Sequence, residues 1–321
     1  MTSTLNIQNA ALGFAQAPVD LSAAGQDAFA PRVAVDGQGN AVAVWDRFNG
    51  TNTIVQAAAR PAGGAWQAPI NLSAPGQDAS IPQVAVNAQG NAVAIWRRGT
   101  TFNAIVQAAA RPAGGAWQAP INLSAPGQDA SIPQVAVDAQ GNAVAVWRRF
   151  NGTNDIVQAA VRLAGGAWQA PVNLSAPGQD ASIPQVAVDA QGNAVAVWQR
   201  FTTFNAIVQA AARPAGGAWQ APITLSLSAV GQNAFNPQVA VDGQGNAVAV
   251  WQRNTDNFTP NGFVQATVRP AGGAWQAPIN LSASDQPAYE PQVAVDGQGN
   301  AVVVWHRSNG THRIVQAATS V

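Results

Sequence analysis

Residues 81–124 read IPQVAVNAQGNAVAIWRRGTTFNAIVQAAARPAGGAWQAPINLS. Gln83-Val84-Ala85-Val86 alternates as a short strand, and Asn87-Ala88-Gln89-Gly90-Asn91 is a Gly/Asn turn. Ala92 to Arg98 alternates again and ends in Trp96-Arg97-Arg98. A polar loop over 99–103 leads to a third strand, Ile105 to Arg111. Pro112-Ala113-Gly114-Gly115 turns the chain into a fourth, Trp117 to Leu123. Period-2 alternation, punctuated by Gly, Pro and Asn and free of any 3.6-residue period, predicts one four-stranded antiparallel sheet.

This unit recurs through the chain of 321 residues. One tryptophan series ends the string A-V-A-V-W or a close variant: Trp45, Trp96, Trp147, Trp198, Trp251 and Trp305. The other follows G-G-A: Trp66, Trp117, Trp168, Trp219 and Trp275. Each steps by 51 residues, widening to 53–56 toward the end. Four short strands per repeat of this length are the signature of a propeller blade. The expected fold is therefore all-β, a six-bladed β-propeller of four-stranded antiparallel blades in a single domain over 1–321. The last repeat supplies three strands, and a segment over 12–22 matches the fourth. There Phe14 to Ser22 parallels Trp66 to Ser73, with Phe14 standing for the tryptophan. Closure of the ring by this N-terminal strand, three plus one, removes the open sheet edges that invite aggregation. In the second strand, Val42 and Val44 face one way and Ala41, Ala43, Trp45 and Arg47 the other. Trp45 is expected opposite Ile54, so that Gln56 shares its face. Stacked blades then set bulk against alanine.

Composition narrows the function. All 15 basic residues are Arg, 14 Asp and one Glu balance them, and only 9% of residues are charged, against about 25% in an average protein. That argues against a nucleic-acid binder, which needs a basic patch, and against a disordered chain. Apolar runs reach only about five residues, too short for a membrane helix. There is no cysteine, hence no disulfide, thiol nucleophile or thiolate metal site. MTSTLNIQNA has neither the basic region nor the apolar stretch of a signal peptide; an exported mature form stays open, and the compartment is unassigned.

Arg60-Pro61-Ala62-Gly63-Gly64-Ala65-Trp66 resembles the Asp-box of sialidase-like propellers, S-x-D-x-G-x-T-W, in its glycine and tryptophan only. Val35-Asp36-Gly37-Gln38-Gly39-Asn40 looks like the D-x-x-G-N turn of NHL-type six-bladed propellers. The resemblance spans the chain and implies the fold. The arginine triad, Tyr–Glu pair and Asp of a sialidase active site are not found as a set, so the resemblance carries no activity with it.

With the first strand of each blade innermost, the loops after W-x-R and the L-S-A-P-G-Q-D loops share the face where the sequence varies most, the better binding face. Every blade has W-x-R: Trp45/Arg47, Trp96/Arg98, Trp147/Arg149, Trp198/Arg200, Trp251/Arg253 and Trp305/Arg307. The preceding loop carries G-Q-D at Asp27, Asp78, Asp129 and Asp180, with Asn233 and Pro287 in the last two blades. Trp, Arg and Asp beside one inter-blade groove can hold a sugar, by stacking and by hydrogen bonds to hydroxyls. The same residues suit an internal Arg–Asp pair that ties blades together. The G-G-A-W tryptophans suit core packing. The D-x-Q-G-N aspartates (Asp36, Asp138, Asp242) suit turns whose side chains bind nearby backbone N–H groups; one carboxylate per turn is too few oxygens for calcium. Asn-Gly-Thr at Asn49, Asn151 and Asn309 reads as turns.

Blade six breaks the symmetry. The one Tyr and one Glu, Tyr289 and Glu290, adjoin in its entry loop, and both histidines, His306 and His312, lie in its upper region. The neighbouring blade-five loop is longer and holds Asp256. A His–Glu cluster can serve acid–base chemistry or a metal, although the spacing fits no metal motif; repeat drift gives the same pattern. The reading that follows is a monomeric, non-catalytic binding or scaffold propeller, lectin-like toward carbohydrate, with no cofactor, no metal, no nucleic acid and no membrane insertion. Two alternatives stand beside it. One is a glycoside hydrolase or lyase using Tyr289, Glu290, His306 and His312; the other is a purely structural or designed repeat with no ligand.

Overall fold

The computed structural model describes residues 18–99, 102–226, 232–254, 262–283 and 287–320. Its alternating strings fold as six antiparallel sheets. Blade one pairs Ala28–Val35, Ala41–Phe48, Thr53–Arg60 and Ile70–Asn71 in chain order. The order recurs over 79–122, 130–173, 181–224 and 233–280; blade six has three strands, Ala288–Val295, Ala301–Ser308 and Arg313–Thr319. From blade one to blade six the inner strands pack on one another in succession, so the sheets stand around a common centre. The six-bladed β-propeller expected from the repeat is what is found. Of the closing segment 12–22, residues 12–17 lie outside the described set, Phe14 among them, and 18–22 hold no strand. No helix among the described residues is long and apolar enough to cross a membrane.

The blades are held by the complementarity that alternation produces. Between blades one and two, Val42, Val44, Val55 and Ala57 meet Ala92, Ala94, Trp96 and Ala109, sealed by Leu72 and Trp117. The G-G-A-W tryptophans thus pack, as their sequence position indicated. The same set of contacts recurs between blades two and three, three and four, and four and five. Removing this apolar surface from water is the main stabilising term. Within blade one Trp45 lies opposite Gln56 and Arg47 opposite Ile54, a register two residues from the expected one. A two-residue slip keeps every side chain on its face.

Polar groups finish each blade. Asp36 accepts from the N–H groups of Gln38 and Asn40 at 2.9 and 2.8 Å and from Asn40 Nδ2 at 2.7 Å, while Asn40 Oδ1 accepts from Ala62 N at 2.8 Å. These bonds, led by the Asn40 side chain, hold the Asp36 carboxyl below its ordinary value. The serine after each outer strand accepts from a buried amide, as in Ser175 Oγ with Val157 N at 2.9 Å. Gly192, at φ 92°, allows close approach of blades: a Cβ there would lie 2.8 Å from Asp138 Oδ2.

Two boundaries depart from the sequence reading. Blade two's inner strand starts at Ala79 rather than Gln83. Pro82 made this stretch look like a loop, but the ladder continues through a bulge, passing from Ser80↔Arg97 to Gln83↔Ile95. The residue before the proline takes a left-handed conformation in every blade: Ala30, Ile81, Ile132, Ile183, Asn236 and Glu290, with φ between 48° and 55°. For a β-branched residue this costs on the order of 1–3 kcal/mol, and it lets proline sit in a strand without donating. The outer strand is shorter than expected, only Ile121–Asn122 in blade two, because Pro120 cannot extend the ladder.

Candidate functional site

The second strand of each blade carries Trp and Arg toward the preceding blade, and the residue between them toward the following one. All six tryptophans of this series are buried, at 0–4% exposure. The indole N–H groups of Trp96, Trp251 and Trp305 donate to Gln107, Gln265 and Gln316 at 3.2, 3.2 and 3.1 Å. Arg47 and Arg253 donate to the side chains of Gln26 and Gln232, and Arg253 and Arg200 also reach Gln265 and Gln209. Arg98, Arg149 and Arg307 are half-buried.

The loop aspartates turn away from these arginines. Asp78 accepts from Thr53 N at 2.9 Å, and Asp180 from Asp155 N at 2.9 Å, so each caps a loop of the preceding blade. Asn233 does the same for Ala206 N at 2.7 Å. Asp129 accepts from Ala104 N at 3.2 Å and lies 3.5 Å from both Arg97 and Arg148. Asp27 holds its own blade, its carbonyl accepting from Phe48 N at 2.9 Å. One groove of the expected kind, about 310 Å³, is lined by Asn52, Gln77, Asp78 and Arg98. Its tryptophan, Trp96, is fully buried and offers no face for stacking.

Blade six is different. Tyr289 and His306 are direct partners across the ladder, their ring centroids 5.5 Å apart and tilted by 34°. Glu290, on the strained pre-proline position at φ 52°, brings Oε2 to 3.8 Å from His306 Nδ1, with its side chain 71% exposed. The inner-strand bulge thus gathers a phenol, a carboxylate and an imidazole at one point. His312 does not join them; its ring nitrogen lies 2.9 Å from Thr311 Oγ1 in the exposed hairpin loop. Asp256 lies outside the described residues. No group of three metal-ligating side chains forms among the described residues.

Except for His306, the sequence reading passed over the residue between Trp and Arg: Asp46, Arg97, Arg148, Gln199 and Gln252. This position faces the next blade. The Ile81 N–H donates to Asp46, and Asp129 with Asp155 ties Arg97 and Arg148 into one network, the Arg148–Asp155 contact being 3.0 Å. Variation inside an otherwise fixed W-x-R string was the available signal. Burial pushes the Asp46 carboxyl above its usual range, against the donated Ile81 hydrogen bond. A carboxyl raised in the folded state favours folding below its unfolded pKa, and that advantage is lost as pH rises through the folded value. Asp46→Asn, which keeps an acceptor for Ile81, is therefore expected to raise Tm by about 2 °C at neutral pH and to leave it unchanged below about pH 4. Thermal scans across pH check this; a neutral-pH loss would refute it.

No protein-family model and no curated protein matches the sequence. Solved structures do match in fold. An ulvan lyase of polysaccharide lyase family PL25 superposes with TM-score 0.58 at 11% identity, covering 92% of this chain and 82% of that one. An α-L-arabinanase of Penicillium chrysogenum, solved with arabinobiose, gives 0.54 at 13%, covering 91% and 93%. The intramolecular trans-sialidase of Ruminococcus gnavus gives 0.51 at 8%, covering 94% and 96%. These neighbours correct the expectation of a non-enzymatic, lectin-like ring: the three are a polysaccharide lyase, an arabinanase and a trans-sialidase. The buried tryptophans supply the physical reason, since the repeated aromatic platforms are not available to a sugar. In fold, the chain is a six-bladed β-propeller similar to these solved structures.

Proposed function

We propose that this protein is a carbohydrate-active enzyme that cleaves glycosidic bonds, of hydrolase or lyase type, with its reacting groups on blade six. The observation that carries the reading is the meeting of Glu290, His306 and Tyr289, in a fold whose structural neighbours are arabinanase, ulvan lyase and trans-sialidase. Breaking a glycosidic bond needs one group to protonate the departing oxygen and another to act as base or nucleophile. Imidazole, phenol and carboxylate within one cluster provide both.

The set fits elimination on a uronate best. His306 takes the proton next to the sugar carboxyl, the electron pair forms the new C=C bond as the C–O bond breaks, and Tyr289 protonates the leaving oxygen. Glu290 orients the imidazole. Hydrolysis is the second reading, favoured by the arabinanase likeness; Glu290 then serves as the acid–base carboxyl. The test is incubation with ulvan, arabinan and a sialylated glycan, scoring reducing ends for either reaction and ultraviolet absorbance of the unsaturated product for elimination alone. New reducing ends from at least one of them are expected. Silence across the panel would overturn the proposal.

A further inference from the structure

The inner strands repeat one string, and half of them depart from it. Blades two, three and four read Ala-Ser-Ile-Pro-Gln. Blades five, six and one read Ala-Phe-Asn-Pro-Gln, Ala-Tyr-Glu-Pro-Gln and Ala-Phe-Ala-Pro-Arg. These three follow one another around the propeller, so every departure at the bend falls on one arc. Where the other arc has Ser80, Ser131 and Ser182, this one has Phe235, Tyr289 and Phe29, an aromatic ring on each blade. The serine serves the blade itself where it meets an arginine: Ser131 Oγ accepts from Arg148 Nε at 3.0 Å. Charge is distributed the same way. Among all residues of the six inner strands two are charged, Arg32 and Glu290. They stand on neighbouring blades, one just after and one just before the repeated proline.

On blade one the bend brings two of these groups together. Phe29 lies opposite Asp46, and Arg32 opposite Val44. Residues three apart on a regular strand face opposite ways. The bulge between them restores the parity, so the ring and the guanidinium share one face. Both are exposed, Phe29 by 60%. Ala30 between them is the smallest of the six pre-proline side chains. Arg32 Nη1 donates to the neighbouring Pro31 carbonyl at 2.9 Å, and no carboxylate among the described residues lies within ion-pair distance of it. Other arginines hold the fold: Arg60 and Arg111 close their own turns, and Arg97 and Arg148 meet Asp129. At the register of Arg32 the other five blades carry Gln83, Gln134, Gln185, Gln238 and Gln292. Blade packing therefore asks for no cation at this place.

We propose that the inner rim of blades five, six and one is the substrate cleft, and that Phe29 and Arg32 form the subsite beside the reacting groups, where an acidic sugar lays its ring on Phe29 and its carboxylate on Arg32. The inference rests on blade six as the reacting blade. Phe235 pairs with Gln252 as Tyr289 pairs with His306, and it receives the sugar chain on the other side of the cleavage point. An aromatic face stacks on a sugar ring, and a guanidinium offers a carboxylate two parallel donors. The substrate class that follows is a polymer of acidic sugars, because a neutral polymer makes no use of Arg32.

Arg32→Gln and Phe29→Ser install residues that other blades carry at the same places, so both are expected to keep the parent Tm. Binding is measured by calorimetry in the His306→Ala protein, with ulvan as the acidic polymer and arabinan as the neutral one. Arg32→Gln is expected to weaken ulvan binding about 10- to 100-fold, and Arg32→Lys to keep part of it. Phe29→Ser is expected to weaken it about 3- to 10-fold. In the active protein the same changes should raise KM for ulvan more than they lower kcat. Unchanged ulvan affinity in Arg32→Gln, arabinan bound as tightly as ulvan, or no ulvan binding at all would each overturn the proposal. Ulvan bound through Arg32 but left uncleaved by the parent protein would uphold the subsite and overturn cleavage on blade six. Ulvan cleaved with the same KM by Arg32→Gln would do the reverse.

Discussion

His306→Ala is expected to lower the rate of glycosidic cleavage by about two to four orders of magnitude, the usual worth of a positioned acid–base group, while leaving Tm within about 2 °C of the parent. The side chain is about one-fifth exposed, meets Tyr289 and Glu290, and lies outside the buried core clusters, so its removal opens no core cavity. Glu290 gives a sharper version of the same experiment. It holds φ 52° before Pro291, a conformation glycine adopts without strain. Glu290→Gly is therefore expected to raise Tm by roughly 2–3 °C and to lose activity together with His306→Ala. A role in stability alone would move both quantities down. Glu290→Gln, which keeps the size and strain but not the charge, separates the carboxylate from the bend; full activity in this variant would remove Glu290 from the mechanism.

Trp147→Ala is expected to destabilise the protein by about 3–5 kcal/mol, lowering Tm by roughly 10 °C. Trp147 has no exposed surface and packs against Val93, Ile95, Val106, Ala108 and Leu123 of blade two. It is the bulk that fills the second-to-third junction, and the surrounding strands are fixed by full ladders on both sides, so the space cannot collapse. Phe102→Ala, at an exposed loop tip, serves as the control and should change Tm little. Calorimetry of the two variants checks the contrast; a loss below about 1 kcal/mol for Trp147→Ala would show that the junction relaxes.

The fold was legible because the strands alternate valine with alanine so regularly that each face has one composition. Ala92–Arg98 and Ile105–Arg111 came out with the bounds the alternation implied. The inner strand did not, because Ser80-Ile81-Pro82 has the composition of a turn and the bulge that keeps it in the sheet is a backbone feature with no side-chain signature. At the site, rarity was a partial guide. It drew attention to Tyr289, Glu290 and His306, which meet, and equally to His312, which sits in a hairpin loop beside Thr311. The repeated Trp–Arg–Asp set read two ways from sequence, because identity between repeats also reports what every junction needs, here a filled core and a capped loop. Asp46, Arg97 and Arg148 were missed for the converse reason: they occupy the one slot of that string that varies.

The bend before each inner-strand proline is set by backbone pairing, and it accepts Ala30, Ile81, Ile132, Ile183, Asn236 and Glu290 alike. Duplication of the blade has in this way given the chain six interchangeable berths around its centre. Five hold uncharged side chains, and an acidic group enters by altering one codon in one copy. That copy is free to vary while the other five keep the ring folded, because stability never required the symmetry to be complete.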